Sequence, residues 1–206
     1  MLADDGPAPS SSAGRAIDDI DLARASEYAL LAALLARAPD ADFLARLARV
    51  RGDASPLGLA HAALADAAAA AEAADVEREY FDLFVGVGRG ELLPYASYYL
   101  TGFLNERPLA RLREDLHALG IARAEGQCEP EDHAAILCEI MAGFADGRLA
   151  APAEAQQRMF ERHLAPWIGR FFADLEGAGA ARFYRKVGAL GRVFTEIETQ
   201  GFALPA

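Results

Sequence analysis

Apolar residues recur along this chain at intervals of three and four. Alternating runs of β-branched residues bounded by turn residues do not appear. The spacing predicts a first helix over 19–37, with Leu22, Leu30, Leu31, Leu34 and Leu35 inward and Pro39 as its stop. A shorter one over 42–51 carries Phe43, Leu44, Leu47 and Val50. An alanine-dense stretch to about residue 74 has high helix propensity and an apolar face around Leu57, Leu59 and Leu64. Asp75 restarts a helix bearing Tyr80, Phe81, Phe84 and Val85, which ends at Gly86. Over 86–105 the pattern breaks: Gly86, Gly88, Gly90 and Pro94 forbid a continuous helix and leave Tyr95, Tyr98, Tyr99 and Phe103 in an irregular connection. Helices resume over 108–119, 130–146, 152–175 with a bend at Pro166, and 180–200. The expected architecture is all-α: a single-domain bundle of about eight to nine helices over 18–206.

Composition narrows the function classes. At 206 residues and 53% apolar side chains, the chain is long enough to bury one sizeable core. No uncharged apolar run reaches 18 residues, so no stable membrane insertion is expected and the protein reads as soluble. Residues 1–17 hold Pro7, Pro9 and Ser10 to Ser12 without an apolar core, and Asp4 and Asp5 stand where an export signal carries positive charge. A disordered, non-exported tail is the expectation. Two cysteines make no disulfide framework, and a helix begun at Pro130 carries Cys138 too far from Cys128 for a bridge. Reduced thiols fit a cytoplasmic location. The net charge of -11 opposes nucleic acid and favours a basic partner.

The chemistry-bearing segment is Glu129-Pro130-Glu131-Asp132-His133, followed at helical spacing by Ile136, Leu137, Ile140, Met141 and Phe144. Pro130 at the first helical position with carboxylates around it suits the positive end of a helix. His133 then heads an apolar stripe. The same helix end disfavours a charged imidazole, so Asp132 and His133 present one acceptor and one neutral donor. Gly86-Val87-Gly88-Arg89-Gly90 lacks the Lys-Ser/Thr ending of a phosphate-binding loop and follows a helix rather than a strand. His133 and Cys138 project away from each other and cannot clamp one metal ion. Phe160, His163, Leu164, Trp167, Ile168, Phe171 and Phe172 form a buried packing face, with His163 hydrogen-bonded inside the bundle.

Tyr80, Leu83, Phe84, Gly86 and Gly88, then Pro94-Tyr95 with Ser97 and Tyr99, then Glu129-Pro130 with Asp132-His133, Leu137 and Met141 together resemble the TorD/DmsD family of redox-enzyme maturation chaperones. Phe160, His163, Leu164 and Trp167 extend the likeness over roughly residues 20–200. The resemblance implies a TorD-like all-helical, cytoplasmic chaperone without cofactor or catalytic residue, monomeric or a swapped dimer. Its partners would be the twin-arginine leader and the apo form of a molybdopterin-dependent oxidoreductase, whose folding, cofactor insertion and export timing it assists. By position, the peptide-binding surface would include Tyr95, Ser97, Glu129, Pro130, Asp132 and His133. The alternative is a weak nucleotide hydrolase using the 86–99 loop with Asp132 and His133.

Overall fold

The computed structural model describes residues 17–123, 126 and 128–204. The tail expected over 1–17 lies outside these except for Ile17, which packs against Gly147. Ten α-helices form among the described residues: α1 (Asp19–Ala36), α2 (Ala41–Leu47), α3 (Pro56–Ala70), α4 (Ala73–Tyr80), α5 (Ala96–Thr101), α6 (Arg107–Ala118), α7 (Ala134–Ala145), α8 (Ala153–Met159), α9 (Ile168–Gly177) and α10 (Phe183–Phe202). Single π-helical turns, Phe81–Val85 and Phe160–Leu164, prolong α4 and α8. The all-α class holds.

The helix number exceeds the sequence expectation for two local reasons. The connection after Gly90 is not wholly irregular, because residues 96–101 close into α5 once an acceptor from elsewhere caps it. The 152–175 stretch is also more than bent: it breaks at residues 165–167, beside Pro166, into α8 with its π turn and α9. Inward faces follow the expected period with shifts in phase. In α1 the buried stripe is Ala25, Tyr28, Leu31, Leu34 and Leu35, while Leu22 is exposed; in α3 it is Leu64, Ala65 and Ala68, with Leu59 outside.

The centre of the molecule is α7. All its residues are buried except Ile136, which is half-buried, and Glu139, which is exposed. An apolar helix enclosed nearly all round is a core helix by composition. It packs chiefly along α1, which runs antiparallel to it, since Ile17 at the start of α1 meets Gly147 beyond the end of α7. On another side, Phe160, Leu164, Trp167, Phe171 and Phe172 form the buried aromatic-rich layer that the sequence predicts. His163 also behaves as expected: its Nε2 pairs with Asp115 of α6 at 2.6 Å, and its carbonyl accepts the Trp167 indole N–H at 2.7 Å.

Two buried carboxylate devices fix the two ends of α10. Glu79 accepts the backbone N–H groups of Arg182, Phe183 and Tyr184 at 2.6–3.1 Å, so α4 caps α10. Near the other end of α10, Glu198 takes the Arg24 guanidinium in a fork of two 2.7 Å bonds and the Tyr28 hydroxyl at 2.7 Å, which ties α10 to α1.

Candidate functional site

The site begins with backbone. Gly86, at φ 63°, closes the π turn by donating its N–H to Phe81, and the chain doubles back so that Glu91 and Leu92 donate to Asp82 and Leu83. A side chain at Gly86 would meet the Arg89 carbonyl as well as a strained φ, so this reversal requires glycine. The returning strand-like segment reaches residues 94–96, which pair antiparallel with 132–134: Ala134 donates to the Pro94 carbonyl at 2.8 Å and Ala96 to the Asp132 carbonyl at 3.0 Å. Tyr95 therefore stands opposite His133.

Side chains lock the same junction. The Asp132 carboxylate is fully buried, and its Oδ2 accepts the Ser97 N–H at 2.8 Å, which caps α5. His133 is the N-cap of α7: its Nδ1 accepts the Ala135 N–H at 3.1 Å, which leaves the proton on Nε2. The imidazole meets the Tyr95 ring edge to face at 5.0 Å, and the Tyr95 hydroxyl donates to the Glu129 carboxylate. Pro130 shapes the turn, its carbonyl accepting the His133 N–H at 3.1 Å. Asp132 Oδ1 and Ser97 Oγ are buried with no hydrogen-bond partner among the described residues.

All six residues singled out from the sequence thus meet at one place, but not as a helix begun at Pro130 would arrange them. Residues 130–132 form a turn and α7 starts at Ala134. Asp132 consequently serves α5, 35 residues earlier in sequence, instead of the first turn of α7. His133 is neutral, as expected, with burial as the main cause. Desolvation lowers its pKa to about 4, against the opposite pull of Glu129 and Asp132. Burial and the Glu129 carboxylate both push the Tyr95 hydroxyl up, so it remains a donor.

Beside this junction a groove of about 570 Å³ runs between α1 and α7. Its α1 wall is Ala29, Ala32, Ala33 and Ala36, which recur on one face of the helix and are too small to fill the gap. Tyr80, Glu129 and His133 line it near the junction, and Glu139 lines it further along α7. The alanine stripe and Glu139 were missed by sequence reasoning. The period of the alanines is a legible signal, although it identifies a close helix contact as readily as an open one.

The expected tyrosine cluster divides. Tyr95 belongs to the junction, whereas Tyr99 packs on Trp167 and Phe171 at 5.4 and 5.9 Å and donates to Asp174. Among the described residues no group of three or more His, Cys, Asp or Glu is placed to hold a metal ion, and no helix is long and apolar enough to cross a membrane. Cys128 is exposed, Cys138 is buried, and both are free.

A family model described as nitrate reductase delta subunit matches residues 51–173, a span containing α5, the Tyr95–His133 junction and α7. The chain belongs to this family of TorD-like redox-enzyme maturation chaperones. Among family relatives, the chaperone protein TorD of Vibrio cholerae is 30% identical over 131 residues, covering 59% of this chain and 60% of that protein. The chain thus spans about three fifths of the length of that relative. The TorD of Shewanella loihica is 24% identical over 201 residues, covering 86% of this chain and 92% of its own. A crystal structure of an Archaeoglobus fulgidus protein assigned to redox enzyme maturation shares the fold, with a TM-score of 0.54 at 19% identity over 84% of this chain and 93% of that one.

Proposed function

We propose that this chain is a cytoplasmic chaperone that binds the twin-arginine leader of a molybdopterin-dependent oxidoreductase and holds the apo enzyme until its cofactor is in place. The observation that carries the reading is the α1–α7 groove, which combines an apolar wall with carboxylates and a neutral imidazole. A leader joins arginines to an apolar segment, and that pair of chemistries calls for such a lining. Family membership and the chaperone relatives support the same role.

Within this reading the six residues divide by whether they reach the groove. Glu129 and His133 line the groove, and Tyr95 backs them, with its ring against His133 and its hydroxyl on Glu129. Pro130, Ser97 and Asp132 are positioning residues: Asp132 is enclosed and already holds α5, so it acts through the shape of the junction. The hydrolase reading fares poorly, because both of its polar groups are committed to backbone. Asp132 Oδ2 holds Ser97 N–H, His133 Nδ1 holds Ala135 N–H, and the 86–92 loop is folded onto the π turn.

Calorimetry with a synthetic peptide bearing two consecutive arginines followed by an apolar segment tests the proposal. The wild-type protein binds it, His133→Ala weakens binding about tenfold, and Asp132→Ala weakens it more than Asp132→Asn, which keeps an acceptor for Ser97. Equal affinities for wild type and the folded His133→Ala and Asp132→Ala variants would remove the junction from the binding surface.

A further inference from the structure

Along residues 129–146 the chain carries five carboxylates, and four are committed within the protein: Glu129 to the Tyr95 hydroxyl, Glu131 to Arg113, Asp132 to the Ser97 N–H and Asp146 to Arg148. The fifth, Glu139, has no hydrogen bond or ion pair among the described residues. It is also the exposed residue of a helix that is otherwise almost wholly enclosed. Its position is peculiar in a second way. Glu139, Ile136 and Arg148 line both the α1–α7 groove and a second, smaller depression of about 210 Å³ between α7, α6 and residues 121–123, and so form the ridge between them. Leu116, Ile121, Ile140 and Leu149 give that depression its apolar lining, with Arg123 and Glu131 also on its wall.

Charge along the groove gives the ridge its meaning. Arg37 and Arg148 also line the groove, and Arg148 is neutralised by Asp146. Arg37, just past the end of α1, puts a positive charge at the junction end of the groove, so the carboxylate open to an entering cation is Glu139, further along α7. A guanidinium is the cation that best matches an exposed carboxylate with apolar neighbours, being planar, weakly hydrated and able to bond both oxygens while its flat face lies on an aliphatic chain such as Ile136. A side chain two or three residues further along an extended peptide then reaches the apolar depression across the ridge.

We propose that Glu139 grips an arginine of the bound leader, and that an apolar side chain following the arginine pair enters the depression between α6 and α7. The assignment rests on the leader-binding reading and locates its two chemistries on opposite sides of one ridge. Nothing in the fold depends on Glu139, so its replacement leaves the bundle intact.

Titration of the full chain with the two-arginine peptide, and with the same peptide carrying glutamine in place of both arginines, tests the assignment. For the two-arginine peptide, Glu139→Gln is expected to weaken binding at least roughly tenfold; for the glutamine peptide it changes nothing, because the lost partner is the guanidinium. Ile121→Ser is expected to weaken the two-arginine peptide without altering the preference for arginine over glutamine. If wild type binds and Glu139→Gln binds equally well, Glu139 is not the grip and leader binding stands. If wild type binds no such peptide, the leader-binding reading falls and takes this assignment with it.

Discussion

His133 makes the protein's stability depend on pH in a way that one substitution isolates. The imidazole is buried and its pKa is lowered from 6.5 to about 4. A depressed folded-state value means the unfolded chain takes up the proton first. The contribution of neutral His133 is thus complete above the unfolded pKa near 6.5 and is lost as pH falls toward about 4. From about pH 7.5 to about pH 5 the unfolded state gains most of one proton that the folded state refuses. Some 1.5 pH units of that gap, at about 1.4 kcal/mol each, remove about 2 kcal/mol. His133→Asn retains a side-chain acceptor for the α7 N-cap and cannot titrate. Urea denaturation at both pH values is expected to show wild type losing about 2 kcal/mol more than the variant. His163, whose pKa burial also lowers, is present in both proteins and cancels. Equal losses in the two proteins would refute the buried neutral imidazole.

The clamp between the terminal helices is expected to dominate local energetics: Glu198→Ala leaves Arg24 and Tyr28 without their shared acceptor in a mostly buried place and costs roughly 3 kcal/mol in chemical denaturation. The two thiols should separate cleanly. Burial pushes the Cys138 thiol up to about 12 while Cys128 is exposed, so a thiol-reactive dye should titrate one cysteine in the native protein and two in denaturant.

Periodicity was enough to find the long helices and the buried aromatic layer, because both depend on spacing within one segment. The Phe160 to Phe172 face and the His163 hydrogen bond are of this kind. What periodicity cannot supply is a partner from a distant segment. The six-residue α5 exists because Asp132 caps it across 35 positions, so its own glycine- and proline-rich approach reads as loop. The start of α7 shifted for the same reason. Pro130 and its carboxylates have the signature of a first turn, yet His133 takes the N-cap role once residues 94–96 pair with 132–134. The candidate residues were legible as a group, since they cluster in two short stretches. Their division of labour was not, because access to the groove decides it, and a sequence does not show that Asp132 is enclosed while Glu129 and His133 line the groove.

The pairing of residues 94–96 with 132–134 has a consequence for when this protein can work. Neither half of that junction has a shape of its own: each borrows its acceptors from the other, and α6 must already be in place between them in the chain. A nascent or partly melted molecule accordingly lacks the junction, however much of its helix content survives. Under the proposed leader-binding role, loss of peptide capture on heating is expected to coincide with loss of tertiary structure instead of trailing it.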